Sequence, residues 1–536
     1  MESDTPFASF WQAGYEGADH RNAQGLLVDM NLAVGHDRRC GADFALLEPF
    51  GIRTVRESVG WRRSWRRGRL NLRAALARAR AARDLDIQIA WTLCHYGVPD
   101  EVTARDFVPR FVDFCVAAAE ALLPYQVGVP VLTCINEISF LAWGHDAGEQ
   151  FDGRTFAGSE PKRVMIEATL AATETLRRCA PHARFLQVEP MIHVVPPVDR
   201  PDLAAACAAQ CATQFEVWDT LAAAGALDLV GVNHYHASQW EFGSGKRLQW
   251  HLGDPRRLPL SALFAHAWRR YGRPLVLSET SHIGSGRGDW LLDIAGEVAR
   301  ARAEDVPVLG VCLYPILDRP DWERPSHWHK SGLWDLEVAT SAGALRPPRR
   351  TQDMLYAADL RRAQAHVAGH SPRLLPRRED ASLRALLLLS PWRWDELPAG
   401  PRWVLTRIAR RQPVVVVEPA SPSDDPSVLR QATPAPNVRL LTPRMSLDGG
   451  TSAEAQRARV GDVVRDFLRA EALRVGAVWH FASITREVLS HLRGARFVKD
   501  YARRWVGPCP RRRGQARAAR LAIRLAAALT VSRDGG

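Results

Sequence analysis

Short apolar runs alternate along the first two-thirds of the chain with longer segments in which alanine, leucine and arginine recur at helical spacing. The apolar runs lie near residues 7–15, 52–57, 87–94, 129–134, 183–188, 229–233, 274–278 and 308–314. Helix-patterned stretches such as 70–83, 108–123, 162–179, 203–224 and 290–303 stand between them. Strands that read as continuous apolar runs, each followed by a helix, are the sequence form of a parallel sheet with crossover helices. Eight repeats of that unit predict a closed (β/α)₈ TIM barrel over residues 1–370, and not an open sheet.

The helical pattern fades after residue 365, and a Pro/Arg-rich stretch at 371–382 reads as a linker. The pattern then restarts with a strand at 386–389, a helix near 401–411 and a strand at 414–417 that ends in Glu418 and Pro419. This predicts a smaller, partial Rossmann-like α/β domain over residues 383–536, with a helix running into a strand at 516–531. Its first strand is not followed by a GxGxxG fingerprint, so no dinucleotide site is expected.

Composition narrows the function classes. The net charge of +12 comes from 71 basic residues, of which only Lys162, Lys246, Lys330 and Lys499 are lysine. Arginine is spread along the whole chain, and runs such as Arg511 to Arg513 lack interleaved aromatics, so the reading is a solvated basic face and not a nucleic-acid site. The nine cysteines are widely spaced, and Cys94, Cys115, Cys134 and Cys312 sit in apolar runs, as buried reduced thiols do. Cys207 and Cys211 have no second ligand pair at metal spacing. No secretory signal opens the chain, and the apolar runs fall far short of the ~20 residues that cross a bilayer, so the expectation is a soluble cytoplasmic protein without membrane insertion.

Functional side chains of such a barrel gather where its strands end. The fourth run ends in Asn136 and Glu137, and the seventh in Ser278 and Glu279. Two glutamates at the mouths of non-adjacent strands can face one another, and glycosidic cleavage needs two carboxyl groups, one to protonate the leaving oxygen and one to attack or assist the anomeric carbon. Taken singly, each glutamate fits a local ion pair equally well. Arg56 ends the second run, where its guanidinium can hold a carboxylate ionised. His95 ends the third run, Asn233 and Tyr235 end the sixth, and Asp318, Asp321 and Trp322 follow the eighth, where an indole face suits a pyranose. Alone, His95 fits a structural histidine and Trp322 a core residue. The His234/His236 and His327/His329 pairs lack a carboxylate at fixed spacing, so no metal site is expected.

These residues resemble glycoside hydrolase family 1. The run Val55-Arg56-Glu57-Ser58-Val59-Gly60-Trp61 is similar to that family's second-strand motif, and Thr92-Leu93-Cys94-His95 with Pro99 to its third. Asn136-Glu137 matches the Asn-Glu pair of the acid/base, Gly231-Val232-Asn233-His234-Tyr235 the sixth-strand motif, and Leu317-Asp318-Arg319-Pro320-Asp321-Trp322 with Gly332-Leu333 the eighth. The resemblance implies a retaining β-glycosidase in which Glu279 is the nucleophile and Glu137 the acid/base, with neither metal nor organic cofactor. It implies a carbohydrate substrate held by Arg56, His95, Asn136, Asn233, Tyr235, Tyr314, Asp321 and Trp322. Departures from the family point to an altered glycone pocket. The opening Tyr15-Glu16-Gly17 lacks the glycone-binding glutamine, Tyr96 and Tyr314 stand where tryptophan is usual, Asp321 replaces a glutamate, and Thr280-Ser281 replace Asn-Gly.

The C-terminal region is similar, more weakly, to the N-terminal acceptor half of family 4-type glycosyltransferases, through residues 386–395 and 414–419. Sugar nucleotides bind mainly to the other half of such enzymes, so a silent remnant or docking module is expected. Two alternatives stay open: a carbohydrate-binding barrel without turnover, and a protein associated with glycosyl transfer in polysaccharide metabolism.

Overall fold

The computed structural model describes residues 5–66, 68–147, 151, 154–337, 348–369, 383–410, 412–422, 430–445, 453–471, 473–480 and 496–499. The chain divides into two compact units, one of residues 1–350 with 360–372, the other of residues 351–359 with 373–536. The expected linker at 371–382 and the expected terminal helix and strand at 516–531 lie outside the described residues.

In the first unit eight parallel strands close into a barrel: β1 (Trp11–Gly14), β2 (Thr54–Ser58), β3 (Gln88–Cys94), β4 (Val131–Ile135), β5 (Arg184–Pro190), β6 (Leu229–Asn233), β7 (Leu275–Thr280) and β8 (Val308–Leu313). Closure comes from β1, whose Trp11 pairs with Val311 of β8 while its Gln12 pairs with Thr54 of β2. Each strand is covered by helices outside and by packed side chains inside, which is why most of the strands read as apolar runs without alternation, and why the polar residues of β2 are buried. Phe7 closes one end of the interior against Ala90, Val131, Leu186, Val188, Leu229 and Val276. Gln88 ties the entering chain across that end, accepting the Ala8 N–H at 2.8 Å and donating to the Pro6 carbonyl at 2.6 Å.

The crossover segments carry α1 (Cys40–Ala45), α2 (Arg73–Asp84), α3 (Phe107–Leu122), α4 (Ile138–Ala147), α5 (Pro161–Cys179), α6 (Glu216–Ala223), α7 (Leu260–Tyr271) and α8 (Arg287–Ala303). One difference from the sequence reading concerns residues 203–224, expected as a single helix. The structure breaks it at Thr213–Phe215, because the buried Gln214 side chain accepts the Ile192 N–H at 2.7 Å and donates to the Cys211 carbonyl at 2.6 Å. A side chain recruited to satisfy a neighbouring backbone interrupts the helical run.

The second unit holds an open sheet built from β9 (Leu383–Leu389), β10 (Val414–Val417), β11 (Arg430–Ala435), β12 (Val438–Thr442), β13 (Leu473–His480) and β14 (Arg496–Lys499). The order is β11-β12-β10-β9-β13-β14, with β11 antiparallel to β12 and the other pairs parallel. Helix α9 (Ala399–Ile408) packs Val404, Leu405 and Ile408 on one face, and α10 (Ala453–Ala470) packs Val464, Phe467 and Leu468 on the other. Glu418 is spent inside this unit, accepting the Trp394 N–H at 2.7 Å and the Thr442 hydroxyl at 2.6 Å. Among the described residues no helix is long and apolar enough to cross a membrane.

Leu277 has no exposed surface and sits on β7, one residue before a register shift in that strand's pairing. Leu277→Ala should therefore lower the unfolding free energy by about 2–5 kcal/mol in denaturant titration. A loss below about 1 kcal/mol would show that the core around β7 repacks freely into the cavity.

Candidate active site

The register of β7 shifts between Leu277 and Glu279 against β6, and between Leu277 and Thr280 against β8. Such irregularities re-aim the side chains beside them. The end of β7 is clamped on both sides, since His234 N–H donates to the Glu279 carbonyl at 3.0 Å and Tyr314 N–H to that of Thr280 at 3.1 Å. Glu279 is 4 % exposed. Its Oε1 accepts a hydrogen bond from Arg56 Nη1, and its Oε2 accepts from the Tyr235 hydroxyl at 2.7 Å.

Arg56 reaches in from β2 and joins two strand ends, because its Nη2 donates to Asn136 Oδ1 as Nη1 donates to Glu279. The guanidinium also lies over the Tyr314 ring, 5.2 Å from its centroid. Asn136 in turn lies 3.4 Å from His95 Nε2. Burial, then the charge of Arg56, holds His95 well below the usual imidazole pKa, so the ring is neutral.

Glu137 follows β4 with its backbone in the left-handed region, at φ 46°. Its N–H donates to the Val188 carbonyl at 3.0 Å, and its own carbonyl accepts from Leu141 as α4 begins. Glu189, at the end of β5, fixes this bend by accepting the N–H groups of Ile138 at 2.8 Å and Ser139 at 2.9 Å. The Glu137 carboxyl accepts from Asn233 Nδ2 at 2.8 Å and from the Tyr96 hydroxyl. Burial, then the negative charge of Glu279, pushes its pKa up to about 8.

Seven of the ten residues expected at the site therefore form one connected set: Glu137, Glu279, Arg56, His95, Asn136, Asn233 and Tyr235. Tyr314 joins through its hydroxyl, 3.4 Å from His95 Nδ1 and Glu16 Oε1, and its ring stacks parallel to His95. Trp322 lines the same mouth, 5.6 Å from the Tyr96 ring and 5.2 Å from His20. Asp321 is turned elsewhere. Its Oδ1 accepts the N–H groups of Glu323 and Arg324, and its Oδ2 bonds His329 at 2.8 Å, so both oxygens serve the hairpin of Arg319–Pro320 and Trp328–His329.

Four contributors had not been singled out as site residues. Glu16 is buried beside His95 and Arg319, with its pKa raised by burial against the lowering pull of Arg319. Tyr96 bonds Glu137, Ser278 bonds Asn233 Oδ1 at 2.8 Å, and Glu189 holds the bend. The signal was present for each, since all stand at or just past the end of a strand, where polar residues of a barrel carry meaning. Among the described residues no group of three His, Cys, Asp or Glu side chains is arranged to hold a metal ion.

No protein-family model matches the chain, and no curated protein matches it in sequence. Solved structures do match its fold. The family 1 β-glucosidase of Thermotoga maritima in complex with castanospermine is 14% identical, covering 67% of this chain and 98% of its own, with a TM-score of 0.51. A β-glycosidase crystal structure at 19% identity covers 70% of this chain and all of its own, with a TM-score of 0.52. An apo β-glucosidase at 18% identity covers 66% and 98%, with a TM-score of 0.51. At such identities the likeness is one of fold.

The buried titratable groups fix how stability responds to pH. Burial raises the pKa of Glu137 to about 8 and those of Glu189 and Asp19 to about 7, whereas unfolded carboxyls ionise near pH ~4. The folded state thus holds more protons in that range, and this contribution falls as pH rises towards 8. Burial depresses His20 to about 3 and His234 to about 4, so below the unfolded imidazole value of ~6.5 acid works against the fold. Above about pH 6.5 the unfolded imidazoles are as neutral as the folded ones, so only the carboxyl contribution still changes, and the thermal midpoint should decline from about pH 6.5 to about pH 8. A midpoint that climbs across that interval would contradict these protonation states.

Proposed function

We propose that the barrel is a retaining β-glycosidase of the family 1 type, acting on a carbohydrate substrate through Glu279 and Glu137. The observation that carries this reading is the unequal treatment of two buried glutamates at the ends of β7 and β4. Glu279 accepts from a guanidinium and a phenol, which favours its ionised form. Glu137 has its pKa raised to about 8 by burial and then by Glu279, which keeps it protonated at neutral pH. A carboxyl with a cation beside it and one with neutral donors only suit different roles, the first a base or nucleophile and the second an acid. The fold shared with β-glucosidases supports the same reading.

In the first step Glu279 attacks the anomeric carbon while Glu137 gives its proton to the departing glycosidic oxygen, leaving a glycosyl ester on Glu279. Esterification removes the negative charge that had raised Glu137. Its carboxylate then takes a proton from water, or from a sugar hydroxyl, as that oxygen attacks the anomeric carbon and releases Glu279. Arg56 and Tyr235 stabilise the carboxylate before attack and on departure.

The glycone wall has its own character. Gly14 leaves room for Tyr314, since a Cβ there would lie 1.9 Å from the ring, and Arg319 ion-pairs with Glu16 at the mouth. With Asp321 committed to His329, this wall favours a sugar other than one read by a glutamine and a glutamate. The same observations favour a second reading, a carbohydrate-binding barrel without turnover. We read the second unit as Rossmann-like and akin to the acceptor half of a glycosyltransferase, in a docking role. Its parallel strands reverse direction of addition between β9 and β13, as in that fold.

A 2-deoxy-2-fluoro glycoside with an activated leaving group tests this, because fluorine slows both steps and the leaving group restores only the first. A covalent adduct on Glu279 is expected by peptide mapping. Glu279→Gln should abolish labelling and lower turnover roughly a thousandfold or more, a barrier increase of about 4 kcal/mol. Glu137→Gln should still label but turn over slowly until azide replaces base-activated water. Sugar binding that is unaffected by Glu279→Gln, with no adduct across a broad glycone panel, would establish the binding-only reading instead.

A further inference from the structure

Tyr96 and Glu137 are two non-glycine residues whose backbones lie in the left-handed region, at φ 80° and 46°. That conformation is costly for side chains with a Cβ and persists only where the surroundings impose it. Here the two side chains meet, the Tyr96 hydroxyl donating to Glu137 Oε2. The surroundings that impose the bend at Tyr96 are specific. Arg62 N–H donates to the Gly97 carbonyl at 3.1 Å, and Gly97 is pressed so closely on Asp19 that a Cβ would come within 2.3 Å of its carbonyl oxygen. The tyrosine ring is enclosed by those of His95, Phe151, Trp322 and Phe140, with centroids 4.7, 5.4, 5.6 and 5.7 Å away. An enclosed ring cannot swing its hydroxyl to another partner.

We propose that Tyr96 is a positioning residue for Glu137: its hydroxyl holds the carboxyl against Asn233 and sets the pH at which Glu137 releases its proton. This rests on the acid/base role given to Glu137 above. Each carboxyl oxygen accepts one bond, Oε1 from Asn233 and Oε2 from Tyr96. Asn233 is itself oriented by Ser278, whose hydroxyl donates to its Oδ1 and turns the amide NH₂ towards Glu137. The titratable groups acting on Glu137 are Glu279 from β7, Glu189 from β5, Tyr235 beyond β6 and Tyr96 beyond β3. Burial and the two glutamates disfavour its charge, while the Tyr96 hydroxyl and the Asn233 amide favour it. Tyr96 therefore stabilises the carboxylate that appears when the proton leaves, which serves the acid step and readies the base for the next.

Tyr96→Phe deletes one oxygen and keeps the ring packing. In full-length protein carrying glutamate labelled with ¹³C at the carboxyl, the Glu137 resonance is assigned by its loss in Glu137→Gln and titrated by NMR. Its midpoint should move up by about one pH unit in Tyr96→Phe. The alkaline limb of kcat/KM for an aryl β-glycoside should move with it, because the acid stays protonated to higher pH. Phe140→Leu, which alters the packing on the ring and removes no hydrogen-bonding group, should move neither. An unmoved titration in Tyr96→Phe, or an equal shift in Phe140→Leu, overturns the proposal whatever the activity. A shifted titration in a protein without Glu137-dependent turnover leaves the Tyr96–Glu137 coupling intact and removes the hydrolase reading.

Discussion

The mouth of the barrel is organised by one buried cation. Arg56 is 3 % exposed, and a guanidinium in such a place is tolerable only when paired and hydrogen-bonded. It satisfies that demand by donating to Glu279 at the end of β7 and to Asn136 at the end of β4, strands on different sides of the barrel. The two glutamates are thereby placed in one frame, since Asn136 immediately precedes Glu137. Loss of the guanidinium would leave Glu279 buried without its counter-charge, so the same contact that orients the site also makes its burial possible.

Around that cation the wall of the barrel mouth packs as a unit. Gly14 on β1 provides space, the Tyr314 ring fills it and lies over Arg56, and the Tyr314 hydroxyl accepts the Gly17 N–H at 3.0 Å. Glu16 then occupies the gap between His95 and Arg319. None of these residues is exchangeable alone: a side chain at Gly14 collides with Tyr314, and a neutral residue at Arg319 removes the partner of Glu16. Glu16 and Tyr314, two positions at which the sequence departs from the family 1 pattern it resembles, are therefore coupled through contact, 3.4 Å apart.

How much of this was legible depended on the kind of signal. All eight barrel strands are largely buried on both faces and appear within a few residues of where the sequence puts them, from Trp11–Gly14 to Val308–Leu313. Site residues at strand ends were legible by position for the same reason, as Arg56, Asn136, Glu137 and Glu279 show. What the sequence hid was orientation. Asp321 sits beside Trp322 in an aligned motif, yet its carboxylate is drawn into its own hairpin by His329, eight residues on, a pairing that depends on the hairpin register. Tyr96 looks like one more aromatic beside His95 until the left-handed turn at that residue directs its hydroxyl to Glu137. The break at Thr213–Phe215 was hidden likewise, because Gln214 answers a backbone group on a distant loop.

The count of buried charges then constrains the chemistry. Glu16, Glu137, Glu189 and Glu279 are all less than a tenth exposed, and the cations that reach them are Arg56 and the partly exposed Arg319. Four ionised carboxylates around so little positive charge would carry a prohibitive desolvation and repulsion cost, so some of them must hold protons at neutral pH. Pairing decides which. Arg56 bonds Glu279 directly, whereas Glu137 and Glu189 have only neutral donors and are pushed up to about 8 and about 7 by burial. In the proposed hydrolase the two glutamates would thus be told apart by a shortage of cations, since Glu279 has the arginine and Glu137 has only neutral donors.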